Sequence, residues 1–112
     1  MKMFGFAALV AALSFSPSIA AANSFFLSGN DLWKGCKINS PEASAYILGV
    51  VDTFDVFESA LTTKMFCLPA NVTGTQLTDM VCKNLKENPD IRHQNAAELV
   101  SGTFFTAFPC KD

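Results

Sequence analysis

The chain has 112 residues, half of them hydrophobic and only 16% charged, with a formal net charge of −2. It is long enough for one small domain. It holds no cluster of lysine and arginine, which argues against nucleic acid and anionic membrane surfaces as partners.

Met1-Lys2 supplies one positive charge, an uncharged apolar run follows from Met3 to Phe15, and Ser16-Pro17-Ser18 leads to Ala20-Ala21-Ala22. A charged start, an apolar middle and a small-residue cleavage site form the pattern of a secretory signal peptide. The 13-residue apolar run is short of the roughly 20 residues a membrane-spanning helix needs. Cleavage near Ala20–Ala22, taken after Ala22, leaves 90 residues, 23–112, as a single domain. It removes Lys2 and leaves seven basic residues against ten acidic, a net charge of −3. All four cysteines, Cys36, Cys67, Cys82 and Cys110, fall in that part, and an exported small domain with an even cysteine count is expected to be disulfide-stapled.

Asn23 to Gly29 is a lead-in whose Phe25 and Phe26 are expected to pack on the body. Asn30 reads as an N-cap with Asp31 in the first turn, and a short helix over 31–37 would carry Leu32, Trp33 and Cys36. Ser40-Pro41-Glu42 is a clearer helix start, with a capping hydroxyl and a proline where the missing N–H costs nothing. From there Ala43, Ile47, Val50, Phe54, Phe57 and Leu61 recur at steps of 4, 3, 4, 3 and 4, one face of a helix over 41–63 that Tyr46 and Val51 widen. Gly49 lies inside it at a cost of about 1 kcal/mol against alanine. A close helix–helix contact there would account for it.

Phe66-Cys67-Leu68-Pro69 breaks the pattern. Thr73 with Gln76 forms a capping-box signature for a helix to about Glu87 that buries Leu77, Met80, Val81 and Leu85, and Asn88-Pro89 ends it. A last helix over 90–107 would bury Ala97, Val100, Phe104 and Phe108. The expected fold is all-α: a bundle of three main helices plus one short N-terminal helix.

Little in the chain points to catalysis or metal binding. His93 is the single histidine and has no evident partner for nucleophilic work. Cysteines 31, 15 and 28 residues apart do not suit zinc, and no phosphate-binding loop is present. We therefore expect no enzyme activity and no cofactor. Asn71-Val72-Thr73 matches a glycosylation signature, but Thr73 as a helix cap explains it sufficiently. Asp52, Asp55 and Glu58 are spaced by three on the long helix and read either as a solvated face or as a docking stripe for a basic partner.

An ordered series of short motifs runs through the chain: Gly29-x-Asp31-Leu32 with Cys36, Tyr46-Ile47-Leu48-Gly49-Val50 with Asp52, Phe66-Cys67-Leu68-Pro69, Val72-Thr73, Gln76-Leu77, Asn88-Pro89, Arg92-His93 and Ala107-Phe108-Pro109-Cys110. This series resembles the Rap/Tai family of type VI secretion immunity proteins. The resemblance implies an all-helical, periplasmic, often homodimeric protein that binds and blocks a peptidoglycan amidase effector and catalyses nothing. It also implies a Cys67–Cys110 disulfide, since both cysteines lie in matching motifs. One departure concerns Ala43, where family members often carry a cysteine; with Cys82 in a different helix, Cys36–Cys82 becomes the expected second pair. The competing readings are a small periplasmic stress protein or chaperone, and a carrier of an apolar ligand between helices.

Overall fold

The computed structural model describes residues 26–111. The signal-peptide reading, its cleavage site and Phe25 lie outside them. Four α-helices follow in order: α1 Gly29–Lys37, α2 Pro41–Leu61, α3 Gly74–Glu87 and α4 Ala96–Ala107, with a single 3₁₀ turn at Pro89–Ile91 before α4. Among the described residues there is no strand, only an isolated antiparallel bridge between Ser28 and Asn95. The fold is the expected all-α bundle of three main helices and a short first one.

The caps show why the helices begin where they do. Ser28, not Asn30, caps α1: its backbone N–H donates to Asp31 Oδ2 at 3.0 Å and the Asp31 N–H donates back to Ser28 Oγ at 3.2 Å. This reciprocal box satisfies two otherwise orphaned donors, which a cap at Asn30 would leave exposed. Ser40 caps α2 through the Ala43 N–H, and Thr73 and Gln76 form the capping box that opens α3. The last helix starts at Ala96, not Asp90. The carbonyls of Arg92 and Gln94 accept from the N–H groups of Asn30 and Gly29, and the Ala96 N–H donates to the Leu27 carbonyl. Those backbone groups tie the start of α1 to the 88–95 turn and so are withheld from a continuous helix; Asn95 then caps α4 through the Ala97 N–H at 2.9 Å.

The core is built where all four helices meet. Ile47, Val81, Leu85, Val100 and Phe104 are its largest fully buried side chains, joined by Leu32, Ala43, Phe66, Leu77, Ala96 and Leu99. On α4 the fully buried alanine is Ala96, while the expected Ala97 is only half-buried. The α3 stripe is as expected for Leu77, Val81 and Leu85, whereas Met80 stays half-buried.

Two disulfides hold the ends. Cys36 of α1 joins Cys82 of α3 with Cα atoms 5.6 Å apart, and Cys67 joins Cys110 with Cα atoms 4.9 Å apart. A backbone bond from Cys67 N–H to the Phe108 carbonyl at 2.8 Å runs beside the second one. Ala43 sits where α1 crosses α2: a Cβ added to Gly35 would fall 2.8 Å from the Ala43 Cβ. Two further expectations fail. Phe26 is fully exposed. Gly49 has no close helix against it; a Cβ added there would meet nothing within 4 Å.

Candidate functional site

The long helix dominates the surface. At 1.5 Å per residue α2 is about 31 Å long, against about 21 Å for α3 and about 18 Å for α4. Its apolar row therefore outruns the helices that cover it. Ala43 and Ile47 are buried, Val50 and Phe54 are half-buried, and Phe57 and Leu61 are 57% and 64% exposed. The sequence pattern predicts burial for all six, because periodicity reports which face is apolar and not how far its partners reach. Comparing predicted helix lengths could have revealed the overhang.

Phe54 marks the boundary. Its ring lies 5.5 Å from that of Phe66 and 6.0 Å, edge-on, from that of Phe105. Phe105 also packs edge-on against Phe66 at 5.6 Å, and Phe66 leads inward to the buried Phe104 at 5.7 Å. Beyond this aromatic cluster, Val56 is 69% and Met65 42% exposed, and Phe105 itself is at the surface.

The three acidic residues part company. A step of three residues falls about 60° short of a full helical turn, so the stripe winds around α2. Asp52 and Asp55 face solvent, whereas Glu58 is half-buried and turned towards the chain reversal. There its carboxylate accepts the Met65 N–H at 2.8 Å and the Phe66 N–H at 3.5 Å. Thr62, in the left-handed region at φ 54°, ends the helix just before that reversal. Among the described residues the one ion pair is Lys83–Glu87, an exposed i,i+4 contact at 3.9 Å, so the Asp52 and Asp55 carboxylates have no cation bound to them. A groove of about 300 Å³ lies alongside, bordered by Asp52, Asp55 and Lys64 and lined with Val51, Phe54 and Phe66.

Nothing else converges chemically. Among the described residues no three His, Cys, Asp or Glu side chains come together as a metal site, and all four cysteines are bonded. His93 lies exposed in the turn before α4. Arg92 is structural: its Nε donates to the Leu85 carbonyl at 2.6 Å near the end of α3, and its guanidinium sits 4.9 Å over the Trp33 ring. Other clefts, of about 520 and 550 Å³ beside α3, are open grooves.

The comparison with known families gives one match: the model of the Rap1a immunity proteins matches residues 28–110. The chain belongs to the Rap1a immunity protein family. The match runs from the Ser28 cap to Cys110, and so spans all four helices and both disulfides. No curated protein matches the chain. Immunity proteins act by binding an effector and not by catalysis, and this chain is not an enzyme.

Proposed function

We propose that this protein is exported to the periplasm and there binds and blocks a peptidoglycan amidase effector delivered by type VI secretion. The observation that carries the reading is the family match over residues 28–110, which makes an effector protein the partner. Two disulfides in a small helical domain support an oxidising compartment, and the Met1–Ala22 pattern supports export. The amidase target follows from the motif resemblance. Peptidoglycan lies in the periplasm, so an inhibitor of its hydrolysis has to act there. The resemblance also implies a homodimer.

The mature, oxidised chain should form a stable complex with the amidase encoded beside its gene and abolish that enzyme's cleavage of peptidoglycan. Titration calorimetry and a turbidity assay on purified sacculi measure both. Binding without inhibition would leave an effector-binding protein of a different kind. Absence of binding would remove the amidase from the account.

A further inference from the structure

Two grooves flank α2 on opposite sides, with Phe54 between them. One is the groove bordered by Asp52, Asp55, Glu58 and Lys64. The other, of about 390 Å³, is lined by Tyr46, Gly49, Val50, Thr53, Phe54 and Ala97, none of them charged. Gly49 is exposed in it, and a Cβ added there would meet nothing within 4 Å. Phe57 projects from the same side of the helix, four residues after Thr53 and seven after Val50, and is exposed.

The open groove and the exposed ring stand symmetrically about Thr53, with Gly49 four residues before it and Phe57 four after. In a two-fold contact each surface meets its own copy, so residue i touches j and j touches i. Two α2 helices laid antiparallel about Thr53 bring the Phe57 of each to the level of Gly49 in the other, and Tyr46 to the level of Ala60. A large side chain then meets a small one at each level, as interdigitating helices require.

Charge and area both fit this occupant. Asp52 and Asp55 border the other groove, so two copies joined through this side do not set those carboxylates against each other. An uncharged groove is matched by an uncharged ring and offers nothing to steer a highly charged partner. Phe57, Leu61 and Phe105 leave roughly 300 Å² of side chain open, against about 800 Å² per partner in a stable interface. The groove walls, Thr53 and Ala60 lie between them and add to the contact.

We infer that α2 pairs with α2 of a second copy, antiparallel about Thr53, with each Phe57 seated in the groove beside the other copy's Gly49. This gives an interface to the homodimer of the reading above and does not depend on the amidase. The helix contact that Gly49 lacks within its own chain is supplied between chains.

The test is sedimentation equilibrium of the mature, oxidised chain over about 1–500 µM, where wild type should dimerise. Phe57→Ser removes the ring and Gly49→Leu fills the groove, and each should raise the dissociation constant about tenfold or more. Both positions are exposed and leucine is the better helix former, so both variants should keep the helical spectrum and cooperative unfolding. Gly49→Ala adds one methyl to a groove with room for it and should leave the dimer in place. Asp52→Lys/Asp55→Lys, on the other side of the helix, should leave it too. A wild-type monomer throughout the range, or a dimer that Phe57→Ser or Gly49→Leu leaves unchanged, would overturn the proposal. The amidase reading is decided apart: a dimer of this kind that binds no amidase keeps the interface and loses the amidase, and a monomer that inhibits one does the reverse.

Discussion

Two glycines of the same fold should respond to the same substitution with opposite signs. Gly49 lies in the middle of α2 with nothing within 4 Å of an added Cβ. Its φ is negative, and the Thr53 hydroxyl bonds only its carbonyl, at 2.8 Å, which alanine retains. Gly49→Ala therefore gains the helix-propensity difference with no packing cost, about 0.8–1 kcal/mol. In a domain of this size that raises the unfolding midpoint by about 4–8 °C. Gly29, at the first turn of α1, is different. A Cβ there would run into the Leu99 side chain and lie 2.8 Å from the Arg92 carbonyl oxygen. Leucine can rotate away, but that carbonyl is held by the Asn30 N–H at 2.7 Å. Gly29→Ala should cost about 1–3 kcal/mol, the usual range for overpacking. Thermal and urea unfolding of the oxidised mature variants measure both. A neutral or destabilising Gly49→Ala would refute the reasoning, because it would require a neighbour against Gly49 in solution that the monomer does not contain.

Removing the Cys67–Cys110 bond, by Cys67→Ala/Cys110→Ala, opens a loop closed across a separation of 43 residues and should cost about 4 kcal/mol in the chain-entropy account, read as a lower urea midpoint. The Asp31 carboxyl is held below the usual carboxylate range by the Ser28 N–H and hydroxyl that donate to it. Its contribution to stability is thus present above the unfolded value of about 3.9 and lost as pH falls through the lower folded one. Asp31→Asn should be less stable than wild type at pH 7, and the two unfolding curves should converge in the most acidic buffers; a constant gap across pH would remove the capping box from the acid response.

The parts of the fold that proved legible in the sequence are those set by local chemistry. Ser40-Pro41 and Thr73-x-x-Gln76 announced their helices because a cap acts within one turn, and the Leu77–Val81–Leu85 stripe named its buried face. The cap of α1 was a local signal passed over, since Ser28-x-x-Asp31 is itself a capping box. Other differences arise from partners outside the helix concerned. The start of α4 depends on carbonyls at 92 and 94 being used by Asn30 and Gly29, some sixty residues earlier. Phe57 and Leu61 obey the same period as Ile47, yet are exposed because α3 and α4 are too short to reach them. Glu58 reads as the third member of an acidic stripe, and its carboxylate in addition accepts the Met65 and Phe66 N–H groups that follow a chain reversal.

The central claim, an exported chain that neutralises an effector where peptidoglycan is exposed to it, is tested most directly by protection of living cells. A strain lacking the gene is supplied either with the complete chain or with one lacking residues 1–22 and retained in the cytoplasm, and the amidase is directed to its periplasm. Survival is then counted. The account predicts lysis without the gene, survival with the complete chain and lysis with the cytoplasmic form. Full protection by the cytoplasmic form, or none by the exported one, would contradict it.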